Sequence, residues 1–287
     1  MQNPKSKSIS HQGGSGSRDE YRSDHEKAPL ITVITVSYNC AASLEETIVS
    51  VISQTYNRTE YIVIDGASTD GSLDVLKKYD RHIDFWISEK DGGIYDAMNK
   101  ALDVATGDYV NFLNAGDTID GDGKLEKIAS QILEYGSVYF TRAMVSFGEN
   151  TGVYPGEAMS EYTSWLKRNL PNHQAIFFPK KFYQSHRYDL RLKLTADDDY
   201  KLLAIKNYCT KFLDEVYVWF ERDGVSSNHK SISLLLQRIR ESVIINLKHK
   251  RYRRLLLDPQ KRIVTFFIHN FFGGDFLFKF IRRIKNF

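Results

Sequence analysis

The chain has 287 residues, which is long enough to bury at least one large hydrophobic core. Its 42% apolar and 26% charged residues, with 18 Gly and 6 Pro, exclude a collagen-like, low-complexity or wholly disordered protein. Two cysteines, Cys40 and Cys209, are too few for a disulfide framework or a thiolate metal site. No apolar stretch approaches the roughly 18 residues of a membrane span, and the N-terminus lacks the apolar segment of a secretory signal. We therefore expect a cytoplasmic protein.

Charge is distributed unevenly along the chain. Residues 230–287 contain 14 Lys and Arg against 3 Asp and Glu, whereas residues 1–229 contain 25 against 33. A basic segment behind an acidic body predicts an anionic partner for that segment. We divide the chain into a polar, flexible leader over 1–28, a main domain over 29–229 and a basic helical extension over 230–287.

Strands and helices alternate in the first half of the main domain. The run from Leu30 to Val36 is rich in β-branched residues and predicts a strand buried on both faces. Ser43 with Glu46 predicts a capping box at the start of the next helix, and Asp70 fits the N-cap of the one after. Further strands are expected near 61–64, 85–87 and 109–113, with helices near 43–52, 72–79 and 94–105.

This alternation predicts an α/β fold with a Rossmann-like, mostly parallel sheet flanked by helices. The part after residue 118 is less regular. It predicts helices near 123–135 and 196–207 and strands near 137–147, 174–178 and 216–220. In open sheets of this class, ligands bind beyond the carboxyl ends of the strands.

The residues at the predicted strand ends argue against two common classes of nucleotide-binding protein. No Gly-x-Gly-x-x-Gly follows the first strand, and no Gly-Lys-Ser/Thr loop is present, which disfavours a Rossmann dehydrogenase and a P-loop NTPase. Carboxylates and small hydroxyls collect there instead. They suit a nucleoside held by a carboxylate and a diphosphate held through a divalent cation.

Four segments resemble family 2 glycosyltransferases in composition, order and spacing. They are Thr35-Val36-Ser37-Tyr38-Asn39, Ile64-Asp65-Gly66-Ala67-Ser68-Thr69-Asp70-Gly71-Ser72, Asp91-Gly92-Gly93-Ile94-Tyr95-Asp96-Ala97-Met98-Asn99-Lys100 and Leu113-Asn114-Ala115-Gly116-Asp117. The resemblance covers about residues 30–225. It implies a GT-A fold and the transfer of a sugar from a nucleotide diphosphate donor with inversion at the anomeric carbon.

The resemblance also implies a donor site. Its residues would be Thr35, Ser37, Tyr38, Asn39, Asp65, Gly92, Gly93, Asp96, Asn99, Lys100 and Asn114. Asp65 occupies the place of the carboxylate that binds the base, usually uracil, and a carboxylate suits an N–H of the pyrimidine edge. The alternative for Asp65 is a cap for the following turn. Gly92 and Gly93 let a ligand approach the backbone, or they form a plain loop before the helix.

The segment Asn114-Ala115-Gly116-Asp117 occupies the place of the family's metal-binding Asp-x-Asp and departs from it. Only Asp117 remains as a carboxylate, as in a subgroup with Leu-Asn-Ser-Gly-Asp. Mg²⁺ needs only one or two protein carboxylates. We expect Asp117 to bind Mg²⁺ or Mn²⁺, with help from the Asn114 carbonyl, and a purely structural turn is the alternative.

Residues 197–199, three successive aspartates, begin the predicted helix near 196–207. By the resemblance, Asp197 is the general base that deprotonates the acceptor hydroxyl, and Asp199 is a supporting residue. Helix capping by all three acids is the alternative. His173 maps to the acceptor side, where it would contact a donor phosphate or an acceptor hydroxyl, or only pack locally.

The extension contains an amphipathic basic helix, with Leu235, Ile239 and Val243 among Arg and Lys residues. Such a segment fits an anionic membrane surface, and we expect residues 231–287 to hold the protein peripherally at the inner face of the cytoplasmic membrane. The alternative is a helix that packs on the main domain. No recognised nucleic-acid module surrounds it.

Together these observations predict an inverting glycosyltransferase of cell-surface polysaccharide synthesis. It would transfer a sugar, most simply from a UDP-sugar, to a hydroxyl of a saccharide or lipid-linked saccharide. One alternative is a catalytically degenerate scaffold that binds sugar nucleotides at the membrane, supported by Asn114 and Gly116. The other is a nucleotidyltransferase, which would require a Gly-rich basic loop where Ser37-Tyr38-Asn39-Cys40 stands.

Overall fold

The structure, a computed structural model, describes residues 10–15, 28–147, 150–156, 159, 161–221, 231–267 and 270. Most of the predicted leader and residues 271–287 of the extension lie outside the described residues. The chain forms two compact units. The first comprises the described residues up to 135 together with 178–185, and the second comprises the described residues of 136–177 and from 186 onward.

The described residues form strands and helices that follow one another in chain order. They are β1 (His11–Gly13), β2 (Ile31–Ser37), α1 (Ala41–Ile52), β3 (Thr59–Asp65), α2 (Ser72–Lys78), β4 (Phe85–Ser88), α3 (Ile94–Val104), β5 (Tyr109–Phe112), β6 (Thr118–Ile119), α4 (Lys124–Gln131), β7 (Val138–Phe147), β8 (Asn150–Tyr154), α5 (Tyr162–Leu166), β9 (Ile176–Pro179), α6 (Lys180–Tyr183), α7 (Ala196–Asn207), β10 (Thr210–Glu221) and α8 (Ile232–Lys248). A further helix covers 254–267.

The sheet of the first unit has the strand order β1-β4-β3-β2-β5. Strands β4, β3, β2 and β5 are parallel, and all seven residues of β2 are buried. Helix α1 buries Leu44, Ile48 and Val51, while α3 buries Met98 and Leu102. A strand in the middle of a parallel sheet is covered on both faces, which explains its continuous apolar run. The predicted α/β fold with a mostly parallel sheet flanked by helices is confirmed.

Strand β1 lies within the leader that the sequence predicts to be flexible. It pairs antiparallel with β4, with Gln12 opposite Ile87. The backbone N–H of Gly14 also donates to Asp80 Oδ1 at 2.8 Å. Strand β4 would otherwise expose the unpaired backbone groups of a sheet edge, and the leader segment covers them. A structureless leader is therefore wrong for these few residues.

Asp70 caps the beginnings of two helices. Its Oδ2 accepts from the backbone N–H of Ala41, the first residue of α1, at 2.8 Å. Its Oδ1 accepts from the N–H and the hydroxyl of Ser72, the first residue of α2, at 3.1 and 2.7 Å. The predicted capping box is wrong, because Ser43 lies inside α1 and a carboxylate distant in sequence supplies the acceptor instead.

The second unit is organised around β7. This strand pairs in parallel with β10 and antiparallel with β8 and β9. Phe140 packs there against the rings of Trp165 and Phe212, with centroid distances of 6.1 and 5.1 Å. The predicted helix at 196–207 is confirmed by α7, whereas the predicted strand at 216–220 extends over Thr210–Glu221.

Helix α8 confirms the helix predicted in the extension and buries a mostly polar face. Its buried residues are Arg238, Glu241, Ser242, Ile245 and Asn246. Large apolar residues lie on the exposed side of α8 and of the following segment: Ile232, Leu236, Ile244, Leu247, Tyr252, Leu256, Leu257, Ile263, Val264 and Phe267. None of the described helices combines the length and the apolar character that a bilayer span requires.

Candidate active site

Asp65 is the centre of a buried hydrogen-bond network at the ends of β2, β3 and β4. Its side chain is fully buried. Oδ1 accepts from the hydroxyls of Ser37 and Ser68 at 3.0 and 2.5 Å, and Oδ2 accepts from the Ser68 N–H and the Ser88 hydroxyl at 2.9 and 2.6 Å. Four donors from this chain satisfy the carboxylate, which thereby joins three strand ends into one platform.

Asp91 and Tyr38 lie against the backbone at Gly66. A Cβ added to Gly66 would lie 2.9 Å from Asp91 Oδ2 and 3.1 Å from Tyr38 Cδ2, so a larger residue there would require these side chains to shift. Asp91 Oδ1 accepts from the Gly93 N–H at 2.8 Å. Tyr38 is 67% exposed. An aromatic ring and a half-buried carboxylate therefore face solvent directly beside the Asp65 network.

Asn39 ties two of these loops together. Its backbone, in a left-handed conformation with φ 49°, donates to Ser68 Oγ at 2.7 Å. Its side-chain Oδ1 accepts from the Thr69 N–H at 2.8 Å. Thr35 lies deeper, fully buried inside β2 and 3.1 Å from the Tyr61 hydroxyl. Asn39 thus orders the loop, and Thr35 belongs to the core rather than to the surface at the strand ends.

Gly92 and Gly93 precede α3, as predicted. The Gly92 N–H donates to Asp96 Oδ2 at 2.8 Å, and Gly93 has a φ of 110° that glycine adopts without strain. Lys100 Nζ lies 2.7 Å from Glu89 Oε1 and 4.0 Å from Asp96 Oδ2. Asn99 is half-buried on the same helix. This loop therefore presents its own charged network beside the Asp91 carboxylate.

The predicted metal segment forms a tight turn after β5. The Asp117 N–H donates to the Asn114 carbonyl at 3.0 Å, and Gly116 has a φ of 101°. Asp117 is buried, and Oδ1 of Asn114 is buried with no hydrogen-bond partner among the described residues. Burying an oxygen that accepts no hydrogen bond costs free energy. A bound cation would satisfy this oxygen by coordination, without a hydrogen-bond donor.

The donor set of this turn fits a hard divalent cation, because it offers one carboxylate and one amide oxygen. Within the described ranges, no cluster of three or more His, Cys, Asp or Glu side chains could hold a metal ion. Phosphate oxygens and water would have to complete such a coordination shell.

In the second unit, Asp197 and Asp198 share one buried lysine. Lys201 Nζ lies 3.0 Å from Asp197 Oδ2 and 2.9 Å from Asp198 Oδ1. Burial would lower the pKa of Lys201, but the two carboxylates outweigh burial and raise it above its usual value. The lysine stays charged, and its ammonium bridges the two carboxylates.

Asp199 is bound by two residues of the C-terminal extension. Its Oδ1 lies 2.7 Å from His249 Nε2, and its Oδ2 accepts from Lys248 Nζ at 2.7 Å. Burial would raise the pKa of Asp199, but the bonds to His249 and Lys248 outweigh burial and lower the pKa below its usual value. Asp199 is therefore an ionised residue that joins α7 to the end of α8.

His173 is buried beside the same acidic helix. Its Nε2 lies 2.7 Å from the Tyr188 hydroxyl. Burial lowers the pKa of His173 to about 4, with Asp197 opposing that shift and Lys201 adding to it. The imidazole is neutral at neutral pH, so it does not supply a positive charge for a phosphate.

Sequence reasoning missed Asp91 and Lys201 as members of the site. Asp91 begins the segment that contains the predicted Gly92 and Gly93, and its position before two glycines was the available signal. Lys201 follows Asp197 by four residues on α7, the spacing at which opposite charges meet on a helix.

The described features agree with comparisons to known proteins. The family model "Glycosyl transferase family 2" matches residues 32–197, more than half of the chain. A PGL/p-HBAD biosynthesis glycosyltransferase of Mycobacterium bovis (strain BCG / Pasteur 1173P2) is 29% identical over 214 residues, covering 70% of this chain and 80% of the relative. The putative teichuronic acid biosynthesis glycosyltransferase TuaG of Bacillus subtilis (strain 168) is 41% identical over 109 residues, covering 37% and 43%.

Solved structures share the fold. S. aureus TarS 1-349 in complex with UDP-GlcNAc superposes with a TM-score of 0.61 at 19% identity, covering 84% of this chain and 73% of that one. The mannosyltransferase PcManGT of Pyrobaculum calidifontis, in complex with GDP-Man and Mn²⁺, superposes with a TM-score of 0.58 at 17% identity, covering 81% and 69%. Taken with the GT-A fold, these matches show that the chain is a glycosyltransferase and belongs to glycosyl transferase family 2.

Proposed function

We propose that this glycosyltransferase transfers a sugar from a UDP-sugar to a hydroxyl of a saccharide or lipid-linked saccharide, in one inverting displacement. The product would belong to a cell-surface glycan. The names of two relatives, which refer to PGL/p-HBAD and to teichuronic acid biosynthesis, support this assignment. So does the UDP-GlcNAc bound by the structural neighbour TarS.

The observation that carries the donor assignment is the pair of Asp91 and Tyr38 at Gly66. A carboxylate can accept the N3–H of uracil, and an exposed aromatic ring can stack on a base. Asp65 remains part of the base site in this proposal. Its four internal bonds make it the support of the platform, and Asp91 is the carboxylate that faces the ligand.

On the acceptor side, Asp197 would accept the proton of the attacking hydroxyl. The reaction needs a base because a sugar hydroxyl is a poor nucleophile before it loses its proton. Lys201 supports this role, since its ammonium lies 3.0 Å from Asp197 Oδ2 and holds the carboxylate in place. His173, neutral and bonded to Tyr188, would help to shape the acceptor pocket.

Asp117 and Asn114 Oδ1 would hold Mg²⁺ or Mn²⁺ against the diphosphate. The buried Asn114 oxygen, which lacks a donor among the described residues, supports this assignment. The Mn²⁺ bound by the neighbour PcManGT is consistent with it. When bound, the cation would offset the charge of the leaving diphosphate.

The exposed apolar residues of α8 and 254–267 would contact an anionic membrane. Large exposed apolar side chains are concentrated there, and the exposed Arg253 and Lys261 lie among them. Apolar burial combined with basic side chains is the requirement for interfacial binding. We propose that the protein is peripheral at the inner face of the cytoplasmic membrane.

Calorimetric titration with UDP, with and without Mn²⁺, tests the donor and cation assignments. The wild type should bind UDP at least tenfold more tightly with Mn²⁺, and Asp117→Ala should lose this gain while the exposed control Asp122→Ala keeps it. A screen of UDP-, GDP- and dTDP-sugars then identifies the donor by nucleotide release. Tight binding of UDP without metal would contradict the assignment of Asp117 as a cation ligand. UDP binding without turnover of any donor in the screen would favour the degenerate scaffold, and failure to bind UDP, GDP and dTDP would overturn the proposed donor assignment.

A further inference from the structure

The segment before α7 is held by a carboxylate of α8. Glu241 is 3% exposed. Its Oε1 accepts from the Lys193 N–H at 2.9 Å, and its Oε2 accepts from the Leu194 N–H at 3.0 Å and the Thr195 hydroxyl at 2.8 Å. These are the three residues that lead into the aspartate-bearing first turn of α7.

Glu241 holds the residues before α7 and takes up the hydroxyl of the N-cap residue. Thr195 is the N-cap residue of α7, but its hydroxyl makes no capping bond within its own helix. It donates to Glu241 instead. A carboxylate at this place satisfies the entering backbone and interacts favourably with the positive end of the helix dipole.

A second contact of α8 lies two turns further along the same face. His249 and Lys248 bind Asp199 at 2.7 Å each. Residues 241 and 249 are about 12 Å apart along a helical path of this length. The polar inner face of α8 and its end thus bind both the entrance of α7 and its first turn, on either side of Asp197.

We propose that Glu241, with Lys248 and His249, positions the Asp197 carboxylate for catalysis, so that α8 is a functional part of the acceptor site. The inference rests on the proposed role of Asp197 as the base. Glu241 holds residues 193–195, and the Asp199 contacts prevent the first turn of α7 from rotating. The Asp197 carboxylate is thereby kept beside Lys201 in one orientation.

The test uses the full-length protein with Glu241→Gln and, as a matched control, Arg240→Gln on the exposed side of the same helix. Gln presents an NH₂ group where the carboxylate accepted an N–H. We expect amide hydrogen exchange at 193–199 to accelerate at least tenfold in Glu241→Gln only, with UDP affinity and exchange in the first unit unchanged within twofold.

Turnover is followed as UDP release from the donor found in the screen, with water as the acceptor. Glu241→Gln should lower kcat at least tenfold and change the donor KM less than twofold, because the donor residues are untouched. Glu241→Asp should recover part of kcat, as expected for a carboxylate that positions another group. Unchanged exchange, or faster exchange with wild-type kcat, would overturn the proposal.

A second pair of variants covers the case in which Glu241→Gln does not fold. Lys248→Met removes one bond to Asp199, and Lys250→Met removes an exposed neighbouring charge. We expect only Lys248→Met to lower kcat at constant donor KM, and equal kcat values in the two variants would contradict the proposal. If the wild type binds UDP but turns over no donor in the screen, the proposed function fails, and the exchange data still decide whether Glu241 orders α7.

Discussion

His249 Nε2 lies 2.7 Å from Oδ1 of Asp199, so a residue of the basic extension binds the third aspartate of the helix that also carries Asp197. Lys248 occupies the other oxygen of the same carboxylate. Both carboxylate oxygens of Asp199, which is almost fully buried, therefore have partners from one short segment. We expect removal of the Asp199 charge to lower the free energy of unfolding by an amount that depends on pH.

Asp199→Asn should lower the free energy of unfolding by roughly 1–3 kcal/mol at pH 7, since it breaks charge-assisted bonds in a buried place. The pKa of Asp199 is lowered in the folded protein, so its contribution is present above the usual carboxyl pKa. It is lost as the pH falls from about 5 through the lowered folded pKa. Urea unfolding at several pH values measures this, and the gap between wild type and variant should narrow towards pH 3. A constant gap would contradict the prediction. Asp74→Asn, which alters an exposed residue, is the control.

Asp65 and Asp91 should respond differently to substitution. Asp65→Asn places an NH₂ group among four donors and should destabilise the fold by roughly 2 kcal/mol, because buried donors lose their acceptor. Asp91→Ala should leave the melting temperature unchanged and weaken UDP binding about tenfold. Thermal unfolding and calorimetry separate the two effects. If Asp91→Ala binds UDP with normal affinity and a folded Asp65→Asn does not bind UDP, then Asp65, and not Asp91, contacts the base.

Asn114→Ala should weaken the Mn²⁺-dependent part of UDP binding several-fold without lowering stability. The native Oδ1 is buried and has no donor among the described residues, so its removal relieves a desolvation cost. UDP calorimetry at several Mn²⁺ concentrations and a thermal unfolding curve provide the two readouts. A lower melting temperature with unaltered Mn²⁺ dependence would assign Asn114 to the structure of the turn alone.

The double substitution of Leu236→Ser with Leu247→Ser should reduce binding to phosphatidylglycerol vesicles at least fivefold. Both side chains are more than half exposed, so the melting temperature should stay within about one degree. Vesicle co-sedimentation measures the binding, with Ser233→Ala on the same helix as the control. Equal sedimentation of the double variant and the wild type would argue against contact between this face and lipid.

The sheet of the first unit could be predicted because a strand buried on both faces, such as β2, requires a continuous run of residues suited to burial. Ile31 to Val36 are almost all apolar or β-branched, and the polar residues of the site begin where the strand ends. The position of Asp91 could not be predicted in the same way. Its carboxylate reaches Gly66 only because β3 and β4 lie side by side with Asp65 opposite Ser88.

Capping and helix orientation were the least predictable features. Ser43 satisfies the local rule for a capping box, but Asp70, which lies 29 residues after Ala41, supplies the acceptor for α1. In α8 the usual expectation of a buried apolar face is reversed. The acceptors and donors that make this possible, such as Glu241 and the amides of Lys193 and Leu194, are almost 50 residues apart.

The hydrogen bonds of Glu241 also bear on how such proteins can be recombined. The change in composition at residue 230 marks an obvious junction for a chimaera that exchanges tails between related enzymes. A tail from another protein joined there could lack a carboxylate at the position of Glu241, and the amides of Lys193 and Leu194 would then lose their acceptor. Segments 193–199 and 241–249 are joined by these bonds, so a functional chimaera has to take both segments from the same parent protein.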